Sequence, residues 1–175
     1  TVTAWDLGMG DSTSIWVAQI AGSEIRLIDY YENNGVGLDA YVKWLRDNDY
    51  HKAEHILPHD VRVRELGTGK SRLEVLEDAG LEIRVAPRMS VDDGIQAVRR
   101  LLPRCWFNVP NVQIGLNCLR NYRRTYDEKR KIFFERPLHD WSSHGSDAFR
   151  YLAIGLDETA STWGESINKP ARWVV

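Results

Sequence analysis

The stretch from Val2 to Glu32 constrains the fold more than any other part of the chain. Val2–Asp6 reads as a short strand ended by Gly8 and Gly10, and Ser12–Ile20 reads as a second through Ile15, Trp16 and Val17. Ala21-Gly22-Ser23 makes a tight turn, and Glu24–Glu32 is a third strand through Ile25, Leu27 and Ile28. Parallel neighbours need a crossover of a dozen or more residues, so connections this short predict an antiparallel meander. The pattern then changes period. Leu38, Tyr41, Val42 and Leu45 form a helical stripe, and His55-Ile56-Leu57 is a brief buried strand closed by Pro58-His59-Asp60. A helix over 71–79 stops at Gly80, and Leu81, Ile83 and Val85 alternate as a strand. Ser90 and Asp93 resemble a capping box for a helix carrying Ile95, Val98, Leu101 and Leu102. Further helices are expected over 112–122 and from Ser146 through Leu156, with Ile132-Phe133-Phe134 extended between them. The order predicts an α/β fold: a mixed sheet of three antiparallel strands followed by parallel strands, flanked by helices.

At 175 residues and 43% hydrophobic, the chain has material for one core. The expected domain spans 1–160, with a loosely ordered tail at 161–175. No apolar run approaches the roughly 18 residues of a membrane span, so no membrane partner is expected. A strand pattern that begins at Thr1 without an initiator Met suggests a piece of something longer. Cys105 and Cys118 lie at no metal-ligand spacing and read as buried thiols. The net charge of −2 hides a segregation. Residues 1–60 carry four Lys/Arg against ten Asp/Glu, and residues 61–136 carry sixteen against ten. An acidic locus beside a basic surface suits metal-dependent chemistry on a polyanion.

Three acids stand where such a locus would form: Asp6 at the end of the first strand, Asp60 after the short fourth, and Asp147 opening the last helix. If the first and fourth strands are neighbours, Asp6 and Asp60 meet at one end of the sheet, and the last helix can bring Asp147 to them. Clustered carboxylates repel unless cations sit among them. Oxygen ligands favour hard divalent ions, Mg²⁺ or Mn²⁺, and two such ions suit phosphodiester hydrolysis. Asp11, His59, His144 and Asp140 are possible supporting residues, each with a plainer reading as a turn former or surface side chain.

Gly67-Thr68-Gly69-Lys70-Ser71 is not a phosphate-cradling nucleotide loop, because the position that loop reserves for its first glycine is Arg64. It reads instead as a basic loop in which Arg62, Arg64, Lys70 and Arg72 contact DNA phosphates. The stretch 120–136 offers a second set that includes Arg123, Arg124, Lys129 and Arg130.

Four runs carry a family resemblance: Trp5-Asp6-Leu7-Gly8, Leu57-Pro58-His59-Asp60, Gly67 to Arg72, and Ser143 to Tyr151 with its Asp147-Ala148-Phe149-Arg150-Tyr151 core. Over roughly residues 2–156 the chain resembles the C-terminal nuclease domain of tailed-phage terminase large subunits. The resemblance implies a ribonuclease H-like fold, with Asp6, Asp60 and Asp147 as metal-binding catalytic acids. It also implies a two-metal endonuclease that cuts concatemeric double-stranded viral DNA at the start and end of genome packaging. The implied partners are that DNA, an N-terminal packaging ATPase domain of the same full-length chain, the portal protein and the small terminase subunit, in the host cytoplasm. Other readings are a ribonuclease H-like junction resolvase or integrase, or a non-catalytic module that docks DNA or portal.

Overall fold

Six strands form the main sheet, and their order decides where the acids fall. The computed structural model describes residues 1–8, 12–64 and 69–167, without side chains for 158–167. Strands β1 (Val2–Asp6), β2 (Thr13–Ala21) and β3 (Glu24–Asn33) form the expected antiparallel meander. Helix α1 (Leu38–Asp47) leads to β4 (Glu54–Leu57), and a 3-10 turn (His59–Arg62) follows. Next come α2 (Arg72–Asp78), β5 (Glu82–Val85), α3 (Val91–Leu101), β6 (Cys105–Phe107) and α4 (Val109–Asn121). A separate hairpin, β7 (Arg124–Asp127) and β8 (Ile132–Pro137), precedes α5 (Ser143–Ile167).

The sheet runs β5-β4-β1-β2-β3-β6, with β4 parallel to β1, β5 parallel to β4 and β6 parallel to β3. Ala4 pairs with Ile56 in the parallel β1–β4 ladder. Continuing that register sets Asp6 level with Pro58, so the 3-10 turn carrying Asp60 leaves the sheet at the end where β1 stops.

Alternation along β1 builds two cores. Val2 and Ala4 join Trp16, Ile56 and Leu27 against α3, α4 and α5, where Phe149, Leu152 and Ile154 are buried. Trp5, on the opposite face, packs with Ile15 and Leu57 against Tyr41, Val42 and Leu45 of α1 and Leu76 of α2. Each large side chain fully buried in this way contributes about 1.5–3 kcal/mol. Among the described residues no helix is long and apolar enough to cross a membrane.

Several elements depart from expectation. Strands β6 and β7 were not foreseen. Helix α2 starts with a full capping box: Ser71 Oγ accepts from Glu74 N–H, and the Glu74 carboxylate accepts from Ser71 N–H at 2.6 Å. Helix α4 begins three residues early, at Val109, with Pro110 in its first turn. Helix α5 starts at Ser143 rather than Ser146 and continues to Ile167. Residues 168–175 of the expected tail lie outside the described residues.

Candidate active site

Asp6 lies on the β1 face that holds Val2 and Ala4, and so points toward α5. The start of α5 is held in place by a tryptophan from the sheet: Trp16 Nε1–H donates to the Gly145 carbonyl at 2.7 Å. Gly145 lies so close to β3 and α4 that a Cβ would stand 2.6 Å from Tyr30 Oη and 2.9 Å from Cys118 Sγ. Gly145→Ala is therefore expected to cost about 1–3 kcal/mol and to shift the first turn of α5. Urea unfolding checks this; a variant as stable as the parent would refute the tight seat.

That turn delivers two side chains. His144 Nδ1 lies 3.1 Å from Asp6 Oδ2. Asp147 Oδ1 accepts from Tyr122 Oη at 3.1 Å and from Arg150 Nε and Nη2 at 3.2 and 3.0 Å. Asp147 was expected to open the helix, where the dipole favours its charge. It stands instead more than a turn inside α5, and its charge is balanced by Arg150 at i+3. Burial disfavours the Arg150 charge, but Asp147 together with Tyr151 and Tyr122 outweighs it and keeps the guanidinium protonated.

Burial pushes the Asp6 carboxyl above its ordinary range; the His144 hydrogen bond pulls it back and the Asp147 charge pushes it up further. Burial and then the Asp147 charge push the Tyr122 phenol well up, which keeps it a donor. Tyr151 reports on the whole locus. Burial raises its phenol, Arg150 opposes, and the carboxylates of Asp6, Asp60 and Asp147 each raise it further. All three acids thus act on one hydroxyl. Asp60 is exposed on its 3-10 turn beside the exposed His59, whereas Asp6 and Asp147 are only 19% and 24% exposed.

Asp11 lies outside the described residues. Asp140 closes the turn before α5: its Oδ1 accepts from Ser142 N–H and Oγ–H, and its Oδ2 pairs with Arg123 at 3.3 Å. Those Ser142 bonds hold its carboxyl below the ordinary range. Among the basic residues, Arg62 is exposed on the 3-10 turn, Arg64 lies 3.9 Å from Glu74, and Lys70 pairs with Asp78 at 2.7 Å. Arg72 is half-buried in α2. Arg123, Arg124, Lys129 and Arg130 lie on or beside the hairpin, with Arg124 paired to Asp92. Sequence reasoning missed Tyr122, Tyr151 and Arg150 as partners of the acids. Only Arg150, one turn beyond Asp147, left a readable signal.

The donor set around the acids is all oxygen apart from His144, and Asp147 Oδ2 carries no hydrogen bond among the described residues. Such donors fit a hard divalent cation, and the cost of burying ionised Asp6 is one that a cation would relieve. Among the described residues, no three His, Cys, Asp or Glu side chains stand close enough together to hold an ion by themselves.

The fold is that of the nuclease domains of phage large terminases. The large terminase nuclease domain of bacteriophage SPP1, solved with bound Mn, matches with a TM-score of 0.63 at 18% identity over 89% of this chain and 85% of that one. The large terminase nuclease of thermophilic phage G20c, solved with bound cobalt, matches at 0.54 and 20% identity over 85% and 79%. The large terminase of the thermophilic bacteriophage D6E matches at 0.66 and 16% identity over 89% of this chain. The present chain spans only 39% of the D6E protein. Neither a protein-family model nor a curated protein sequence matches it.

Proposed function

We propose that this chain is the DNA-cutting domain of a viral genome-packaging terminase, a divalent-metal-dependent endonuclease acting on concatemeric double-stranded DNA. One observation carries the reading: Asp6 at the end of β1 meets the first turns of α5, with His144 Nδ1 3.1 Å from its Oδ2 and Asp147 following, and Asp60 stands on the 3-10 turn that leaves the same end of the sheet. This arrangement lies in a fold shared with terminase nuclease domains, two of which were solved with a bound transition metal. Asp6 and Asp147, with Asp60 nearby and water or phosphate oxygens completing the set, would hold Mg²⁺ or Mn²⁺, which when bound would activate water for in-line attack on phosphorus and neutralise the leaving oxygen. Arg150 and Tyr122 engage Asp147 through Oδ1, so its Oδ2 would be the oxygen available to a cation. His144 orients Asp6 through Oδ2. Arg62, Arg64, Lys70 and Arg72 position the DNA backbone from the segment that follows Asp60. The packaging ATPase, portal and small terminase subunit are the partners this reading entails.

Cleavage of supercoiled plasmid is the direct test. Nicking and linearisation are expected with Mn²⁺ and none with EDTA. Metal-independent cutting, or tight DNA binding with no cutting, would remove the assignment, and the latter outcome favours the docking module. Branched DNA cut far faster than linear duplex would point to a junction resolvase.

A further inference from the structure

Between Tyr122 and His139 the chain leaves the main sheet and forms β7 and β8, which pair only with each other. This arm is a built element. Leu138 N–H donates to the Arg123 carbonyl at 2.8 Å, and Arg123 pairs with Asp140, which closes its root. At the tip, Asp127 Oδ1 accepts from Lys129 and Arg130 N–H at 2.9 and 3.1 Å, and Lys131 turns the chain at φ +55°.

The arm leaves its apolar side chains uncovered. Tyr126, Ile132, Phe133 and Phe134 are 45%, 54%, 61% and 51% exposed. Tyr126 and Phe133 oppose each other across the ladder with ring centroids 5.0 Å apart, and strand alternation puts Ile132 and Phe134 on the other face. Apolar groups on both faces of a free ribbon mark an interaction surface. Exposed Lys129, Arg130 and Lys131 at the tip, and Arg136 behind it, define what the ribbon meets. The complementary partner is anionic outside and planar and apolar within, which describes a nucleic-acid duplex. Both roots of the arm adjoin the acids: Tyr122, two residues before β7, bonds Asp147, and Asp140 leads into α5.

We propose that the β7–β8 arm is a wedge. Its cationic tip grips phosphates while Phe134, with Ile132 beside it on the face away from Tyr126, presses between base pairs, unstacking and bending the duplex beside the acids. Apolar side chains inserted at base steps bend DNA in this way in many architectural proteins. The placement of the bend beside the acids rests on the nuclease reading above; the insertion itself does not.

The test is a duplex carrying 2-aminopurine at successive positions, titrated with the chain in EDTA so that nothing is cut. Fluorescence is expected to rise severalfold at one or two positions on saturation. A Phe134→Ser variant should lose that rise and bind roughly tenfold more weakly, with its melting temperature unchanged because the side chain is exposed and outside the Tyr126–Phe133 pair. A Lys129→Gln/Lys131→Gln variant should bind more weakly with a shallower salt dependence, yet recover the full rise at saturation. Saturated binding with no rise, or an equal rise in the Phe variant, overturns the wedge; DNA affinity unchanged in that variant assigns the arm to a protein partner instead. A rise from a chain that cuts no plasmid retains the wedge and removes the nuclease reading. Cutting without a rise does the reverse.

Discussion

In metal-free buffer at neutral pH, Asp6→Asn is expected to melt at a higher temperature than the parent chain while its Mn²⁺-dependent cleavage falls roughly 10³-fold or more. The two effects share a cause. Burial lifts the Asp6 carboxyl above its ordinary range, with the Asp147 charge adding to it, so ionising Asp6 costs more in the folded chain than in the unfolded one. As pH rises from the ordinary carboxylate range through the raised value, the unfolded chain loses its proton first and stability falls. The neutral amide removes that penalty while still able to accept from His144. On the proposed function, cleavage would drop because the carboxylate would help hold a metal whose charge supplies several kcal/mol in the transition state. Added Mn²⁺ should raise the melting temperature of the parent but not of the variant. A variant that melts below the parent, or one that cuts at the parental rate, contradicts this account of Asp6.

Acidification from pH 7 to 4 is expected to remove about 3 kcal/mol of stability through His55 alone. His55 sits on β4 with no exposed surface. Its Nδ1 lies 2.7 Å from Thr3 Oγ1, which itself accepts from Trp5 Nε1–H at 2.8 Å. His55 Nε2 faces the His51 carbonyl at 3.5 Å, an arrangement that suits a neutral ring with its proton on Nε2 and the Thr3 hydroxyl donating to Nδ1. Burial lowers the imidazole from 6.5 to about 4. The unfolded chain takes up this proton first, so the contribution is whole above pH 6.5, is lost as pH falls from 6.5 to 4, and changes no further below that. Urea midpoints at pH 7 and 4.5 should differ much less in His55→Gln than in the parent. Equal pH dependence in both would show that another group governs acid unfolding.

The meander was legible because β1, β2 and β3 are short runs rich in apolar and β-branched residues, joined by connections too short for parallel pairing. The parallel neighbours β4 and β5 were legible as brief apolar runs between helical stripes. Strand β6 was not: three residues directly after a helix leave no period to read, and its central Trp106 faces solvent. Strand β7 was hidden because Arg-Thr-Tyr-Asp has no buried face to impose alternation. Asp6, Asp60 and Asp147 could be singled out in the sequence because each follows or joins a strongly patterned element. Tyr122 was invisible, since only the docking of α4 beside α5 brings it to a carboxylate 25 positions away. The first turn of α5 was placed too late because Ser-Ser-His-Gly reads as loop. The Trp16 hydrogen bond and the close approach of Tyr30 and Cys118 at Gly145 are tertiary effects that the sequence does not display.

His144 reaches Asp6 across 138 positions of sequence, and α5, which carries both His144 and Asp147, is the last described element of the chain. A polypeptide still emerging from the ribosome can lay down β1 to β5 and expose Asp6 and Asp60, yet it has no means of completing the cluster. On the proposed nuclease reading, synthesis order would work as a safety catch, leaving half-made copies unable to cut until translation has passed Asp147 and the closing helix has docked.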